Sequence, residues 1–310
     1  MTSPKPEKIV STGESRLAPG SDRLAELPWW MFAAIGLGLY IIYYITANED
    51  ATGAFWFLVG TKPADVQEFG LAGIAFQGIA VTIFVCFIAY ILAITIGITV
   101  GLGRVSKNKL IYNLSTFYVE IVRGIPMLVL LAYIAFALLP LAVDAVNSLG
   151  EWMMSSYGFG EALTAFTTRD VPNVWRGIIG LGIGYGAFSA EIVRAGIESI
   201  ERGQWEAASA LGMSRWLTMR HVVLPQALRR MLPAYGNDFV AMIKDSALVS
   251  VLGVRDMTQA ARLHSASSFQ FFMTYSILTF LYLVLTISLT RLVRYAERQG
   301  GSGESRSKHM

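Results

Sequence analysis

Six long apolar runs limit the folds open to this chain more than any other feature of its sequence. About 20 apolar residues in helical form are needed to cross a bilayer core of about 30 Å. The runs that approach or exceed this length are Trp29–Ile45, Leu71–Leu102, Leu110–Leu141, Val174–Ile200, Met231–Val254 and Phe269–Leu292. The sequence therefore predicts an all-α, polytopic membrane protein with about six transmembrane helices.

Composition supports a membrane protein and argues against an enzyme. Hydrophobic residues make up 54% of the chain and charged residues 15%, against about 25% charged in an ordinary soluble domain. Cys86 is the single cysteine, so no disulfide can form within one chain. The histidines His221, His264 and His309 are scattered, without the spacing of a metal site or a catalytic triad. We expect no catalytic residues and no metal.

The distribution of basic residues orients the predicted helices. Cytoplasmic loops of membrane proteins carry an excess of Lys and Arg. With the N-terminus in the cytoplasm, 17 of the 25 Lys and Arg fall in the cytoplasmic pieces 1–28, 103–109, 201–230 and 291–310. Only 4 fall in the outer pieces 46–70, 142–173 and 255–268. This asymmetry predicts that both termini are cytoplasmic.

The cytoplasmic piece 201–230 differs from the other loops. It contains Glu206-Ala207-Ala208, then Leu211-Gly212, and later Val222 and Leu224-Pro225. Alanine and leucine favour a short helix, and a glycine is the usual residue just past a helix end. A second helix should follow Gly212 and be interrupted by Pro225. We predict a hinged pair of short helices at the membrane surface.

The spacing of that piece carries a family resemblance. Glu-Ala-Ala, three residues, Gly, nine residues, a branched aliphatic residue, any residue and Leu-Pro resemble the coupling loop of ATP-binding-cassette (ABC) importer permeases. The blocks 118–126, 190–197 and 244–248 resemble the polar amino-acid branch of that family. This implies a type I importer permease fold over 70–298. The apolar run over 29–46 predicts an extra first helix that departs from the family pattern, and composition predicts disordered ends over 1–28 and 299–310.

The resemblance also implies a function and its partners. The ATPase-coupling residues would be Glu206, Ala207, Ala208, Leu211, Gly212, Val222, Leu224 and Pro225. The chain would form the pathway for a polar or charged amino acid by alternating access in the inner membrane. Its partners would be a cytosolic ATPase, a second permease chain, identical or related, and an external solute-binding protein. ATP and Mg would be bound by the ATPase, since this sequence has no G-x-x-x-x-G-K-[ST] loop.

Charged residues inside the predicted spans are candidates for the substrate pathway, because such groups usually face the bundle interior or water. They are Glu120, Arg123, Glu191, Arg194, Lys244 and Asp245. The first four form two pairs spaced three residues apart, which places each pair on one helix face. The opposing interpretation is that they pair for structural reasons. Pro126 should kink the third helix, and the glycines from Gly177 to Gly186 should let a neighbouring helix pack closely.

Two other functions fit a helical membrane protein. An ion-coupled secondary transporter would use the buried carboxylates as proton or sodium sites. A membrane scaffold would bind an ATPase without moving a substrate. Neither alternative explains the spacing of the cytoplasmic loop.

Overall fold

The computed structural model describes residues 29–60, 77–157, 159, 161–165 and 167–300. The predicted lead 1–28, the first residues of the second predicted span and residues 301–310 of the predicted tail lie outside the described residues. The chain divides into two units. One contains the helix α1, Trp29–Ala47, and the other comprises everything from Asn48 onward.

The second unit is helical along most of its described length. Its helices are α2 Glu49–Val59, α3 Ile79–Arg104, α4 Lys109–Gly124, α5 Met127–Tyr133, α6 Leu139–Tyr157, α7 Glu161–Thr164, α8 Asn173–Glu198, α9 Arg202–Ala210, α10 Arg215–Thr218, α11 Leu224–Asp245, α12 Met257–Ser268 and α13 Phe271–Gly300. Wide π-type turns, Ile134–Leu138 and Met219–Val223, join α5 to α6 and α10 to α11. A tight 3-10 segment, Ser246–Leu252, follows α11.

Four helical stretches of the described residues are long and apolar enough to cross a membrane. They are Ile79–Arg104, Met127–Tyr157, Asn173–Glu198 and Phe271–Tyr295. A shorter apolar stretch, Ile35–Ala47, lies in the predicted first helix. The predicted fifth span corresponds to α11 and the 3-10 segment after it, and α11 carries too much charge to qualify by composition. The prediction of several membrane-spanning helices is thus confirmed.

The third predicted span has different boundaries in the structure. Pro126 breaks the helix instead of kinking it, and the chain is extended at Ile125 (φ −99°, ψ 132°). The reason is that a proline ring disfavours helical backbone at the residue before it. α4 therefore ends at Gly124, and at 16 residues it is only about 24 Å long. The helical run that restarts at Met127 continues to Tyr157, past residue 142, where the predicted outer piece begins.

The centre of the second unit is the contact between α3 and α8. α8 packs along α3 and also contacts α4, α5 and α11. Glycines allow these contacts, because a Cβ on Gly182 would lie 2.5 Å from Leu92 and one on Gly180 would lie 2.5 Å from Leu131. The prediction that the glycine-rich stretch permits close packing is confirmed. Two helices, α3 and α5, pack closely against this stretch of α8.

Gly97 on α3 gives the tightest test of this packing. A Cβ there would lie 2.0 Å from the Ser189 hydroxyl oxygen and 2.9 Å from the Ser189 backbone carbonyl carbon. We expect Gly97→Ala to destabilise the protein by about 2 kcal/mol, since overfilling a packed core forces the helices apart. Thermal unfolding in detergent measures this. Gly36→Ala is the control, because a Cβ there meets nothing within 4 Å; an equal effect at both positions would contradict the packing argument.

The start of α12 is fixed by a buried carboxylate. Asp256 is 1% exposed and accepts a hydrogen bond from the Gln259 backbone N–H at 2.9 Å, as an N-cap does. The Met257 N–H next to it donates to the Thr82 hydroxyl of α3 at 3.1 Å. Burial raises the pKa of the Asp256 carboxyl to about 6, although backbone hydrogen bonds oppose the shift.

The raised pKa of Asp256 predicts a pH dependence of stability. The folded protein holds the proton more tightly than the unfolded chain between about pH 4 and pH 6, so its stability falls as pH rises through that window, by about 2–3 kcal/mol. Asp256→Asn keeps the cap and removes the titration. We expect the melting-temperature difference between variant and wild type to grow from pH 4 to pH 6 and then stay constant. A difference that does not change with pH would contradict it.

Candidate functional site: a helical hairpin and an adjoining charged cleft

Two short helices, α9 and α10, form the hairpin that the sequence predicts at 201–230. The turn between them is made by Gly212, whose φ of +74° is costly for other residues. The Gly212 N–H donates to the Ser209 carbonyl and the Met213 N–H to the Ala208 carbonyl, both at 3.0 Å. These two bonds form a Schellman ending of α9. The Ser214 hydroxyl then caps α10, so the turn is fixed by its own hydrogen bonds.

The hairpin presents an apolar surface to solvent. Leu211 is 82% exposed and Trp216 is 69% exposed. Glu206, Ala207 and Gly212 are exposed as well, and a Cβ on Gly212 would meet nothing within 4 Å. An exposed apolar patch that is rimmed by polar residues marks a protein or membrane interaction site. We call these five residues the hairpin surface.

The remaining motif residues, apart from the exposed Pro225, are less accessible than the hairpin surface. Ala208 is buried, and Val222 and Leu224 are half-buried. Their neighbour Val223 is fully buried in a cluster that includes Ile197 of α8 and against which Trp205 packs. The motif thus combines exposed residues with buried and half-buried ones.

Pro225 does not interrupt the second helix of the hairpin, contrary to the prediction. The helical path continues from α10 into α11 through the wide turn Met219–Val223. In that turn the Leu224 N–H reaches back five residues to the Met219 carbonyl. Pro225 lies in the first turn of α11, where a missing N–H costs little.

A network of ion pairs connects the end of α3 with α8. Glu191 accepts hydrogen bonds from Arg104, at the end of α3, and from Arg194. Arg194 also binds Glu198. The side chains of Arg104, Glu191 and Arg194 are 13%, 27% and 28% exposed. The predicted Glu191–Arg194 pair is present, and the structure adds a third member from another helix.

A cleft of about 470 Å³ lies beside this network, between α8, α11 and the end of α4. Arg123, Glu191, Arg230 and Asp238 supply its charged lining. The Arg123 guanidinium lies over the Phe188 ring, 5.4 Å from its centre. The cleft therefore offers both signs of charge and one aromatic face.

The other candidate pathway residues lie elsewhere. Glu120 is exposed and outside the cleft lining, and within the described part of the chain it forms no ion pair with Arg123. Lys244 is exposed, and Asp245 accepts a hydrogen bond from the Tyr185 hydroxyl at 2.8 Å. The structure thus brings Arg123 and Glu191 together at the cleft and separates them from Lys244 and Asp245.

Sequence reasoning missed Asp238 and Arg230. Asp238 lies inside the predicted fifth span, so its charge was a usable signal there. Arg230 is the last residue of the predicted cytoplasmic piece and resembles an ordinary positive-inside arginine. Nothing in the sequence places its side chain in a cleft.

Comparison with known proteins identifies the family. Residues 93–299 match the family model of the binding-protein-dependent transport system inner membrane component. The chain belongs to this family. Over 223 residues the permease is 31% identical to the glutamine transport system permease protein GlnP of Escherichia coli K12, covering 72% of this chain and 91% of that protein. It is 29% identical, with the same coverage, to a putative glutamine transport permease of Rickettsia bellii.

Solved structures agree with this assignment. The permease is 32% identical to an amino acid ABC transporter crystallised with histidines, with a TM-score of 0.58 over 72% of this chain and 92% of that one. An inward-facing MetNI methionine ABC transporter matches with a TM-score of 0.54 at 19% identity, over 71% of this chain and 93% of that one; that likeness concerns the fold alone. The predicted family and the all-helical permease fold are confirmed.

Proposed function

We propose that this permease forms the membrane pathway of an ATP-driven importer for polar or charged amino acids. The observation that carries the proposal is the hairpin surface, where Leu211 and Trp216 are exposed beside the hydrogen-bonded Gly212 turn while the adjoining Val223 is buried in the bundle. Relatives named as glutamine permeases and as an amino acid ABC transporter support the substrate class.

The proposed assembly has three protein partners. A cytosolic ATPase, which binds ATP and Mg, docks on the hairpin surface. A second permease chain, identical or related, completes the pathway, and an external solute-binding protein delivers the amino acid. Closure of the two ATPases draws the paired hairpins together and turns the pathway outward. This chain itself performs no ATP hydrolysis.

The proposed orientation places the hairpin and both termini in the cytoplasm. Its support is the excess of Lys and Arg in the corresponding pieces of the sequence. The ion-coupled alternative is disfavoured, because the chain belongs to a permease family defined by binding-protein-dependent transport.

Purification from the native membrane tests the proposal. We expect the full chain to co-purify in mild detergent with a soluble chain that carries a G-x-x-x-x-G-K-[ST] loop. The reconstituted complex should then move an amino acid into liposomes only when ATP is supplied on the hairpin side. A chain that purifies alone and moves amino acids with an ion gradient and no ATP would overturn it.

A further inference from the structure

The charged lining of the cleft consists of two arginines and two carboxylates. Its lining contributes Arg123, Arg230, Glu191 and Asp238. Glu191 is already bonded to Arg104 and Arg194, and Arg194 to Glu198. Because Arg104, Arg194, Glu191 and Glu198 bind one another in this way, the lining groups left to contact a ligand are two guanidiniums, Arg123 and Arg230, and one carboxylate, Asp238.

The hydrogen-bond partners of the lining residues show which of these residues are available to a ligand. Of the two lining carboxylates, Glu191 is the one that forms ion pairs with arginines among the residues the structure describes. The Oδ2 atom of Asp238 is buried without a hydrogen-bond partner among the described residues, and a buried acceptor in that state is costly. Arg123 contacts the Phe188 ring, and Arg230 gives one N–H to the Ser199 carbonyl. A guanidinium has five N–H donors, so both arginines keep donors for a ligand carboxylate.

The dimensions of the cleft fit a small extended ligand. A volume of about 470 Å³ falls within the usual range of small-molecule sites, about 300–1,000 Å³. Arg230 and Asp238 are eight residues apart on α11, which is about 12 Å along the helix axis. A ligand that reaches both must carry its opposite charges on separated groups.

We infer that this cleft binds an acidic amino acid, with the ligand ammonium at Asp238 and its two carboxylates at Arg123 and Arg230. The inference rests on the proposed function and names the substrate class within it. An amide side chain would leave one guanidinium without an anion, and a basic side chain would add positive charge where positive charge is already in excess. Glutamate and aspartate therefore fit better than glutamine or arginine.

Binding of radiolabelled L-glutamate to the purified complex in lipid nanodiscs tests the inference. We expect L-glutamine and L-arginine to compete about tenfold or more weakly than unlabelled L-glutamate, since one charge-assisted hydrogen bond is worth about that factor. Glutarate, which has both carboxylates and no ammonium, isolates the role of Asp238. Asp238→Asn should weaken L-glutamate about tenfold or more and glutarate by much less.

Matched variants separate recognition from folding. Arg230→Gln should reduce the preference for glutamate over glutamine. Lys109→Gln removes an exposed positive charge at the start of α4, outside the cleft, and should leave that preference unchanged. Asp238→Glu retains the carboxylate and should bind glutamate even if Asp238→Asn proves unstable by size-exclusion chromatography.

Each failure has its own meaning. Tighter binding of glutamine or arginine than of glutamate overturns the acidic class, and an equal loss of glutamate and glutarate in Asp238→Asn overturns the placement of the ammonium at Asp238. Absence of amino acid binding to a folded complex at millimolar concentration overturns the cleft as a site. The proposed function is judged separately, by co-purification of the ATPase and by ATP-dependent uptake in liposomes.

Discussion

Replacing Gly212 by arginine is expected to leave the permease folded in the membrane while lowering ATP-driven uptake about tenfold or more, the effect of a lost interface anchor. The turn has φ +74°, and a Cβ there meets nothing within 4 Å. The chain itself can therefore accommodate the larger side chain at a backbone cost of about 1 kcal/mol. The added bulk collides only with a partner that docks on the hairpin surface.

Uptake and hydrolysis must be measured on the same preparation. We expect the Gly212→Arg complex to transport fewer substrate molecules per ATP hydrolysed. The reason is that closure of the ATPase no longer moves the helices of the pathway. Gly212→Ala is the matched control, since it carries the same backbone cost without bulk. If alanine and arginine reduce uptake equally, the turn conformation matters and the docking interpretation is wrong.

Glu191→Gln has the second large effect, on stability. The substitution leaves Arg104, only 13% exposed, without the carboxylate that neutralises it. The pair is partly buried, so the cost should lie between that of an exposed pair and that of a fully buried one, at about 2–3 kcal/mol. The melting temperature in detergent should fall by about 5–10 °C.

Two companion variants test whether the network causes the loss. Glu198→Gln removes the 53% exposed member and should cost less than about 1 kcal/mol. Combining Arg104→Gln with Glu191→Gln should recover part of the loss, because no guanidinium is then left unpaired at that point. A melting temperature for Glu191→Gln that matches Glu198→Gln would show that Glu191 has no structural role.

Glu191→Gln also distinguishes the two interpretations of the charged residues in the predicted spans, substrate contact and structural pairing. If Glu191 acts through Arg104 and Arg194, the folded fraction of Glu191→Gln binds its amino acid with unchanged affinity. If the carboxylate contacts the substrate, affinity falls even in the protein that remains folded. Arg104 belongs to α3 and Glu191 to α8, so the network joins the two helices whose contact forms the centre of the bundle.

The sequence by itself determined the features that depend on local properties. Apolar length decides whether a helix can cross a bilayer, so helices were correctly predicted at Trp29, in the 79–104 region, at 173–198 and at 271–295. Gly212 predicted a helix end and a turn from local sequence alone, because glycine is the usual residue just past a helix end. The spacing of the loop motif sufficed to identify the family, since residue order is retained whatever the packing.

Local patterns were less reliable where neighbouring residues compete. Pro126 was expected to kink a helix, and it ended one because Ile125 became extended. The outer pieces 46–70 and 255–268 contain the helices α2 and α12, which were not predicted. Asn48 and Asp256 cap these helices, so a search for helix starts would have found them.

Only the tertiary structure decided which charged groups meet. Arg104 and Glu191 are 87 residues apart, and Arg123, Arg230 and Asp238 come from α4 and α11. Whether such groups share a cleft depends on how each helix is rotated and how closely it approaches its neighbours. Those quantities are set by the glycine contacts of α8 with α3 and α5, and the side-chain pattern of a single helix does not contain them.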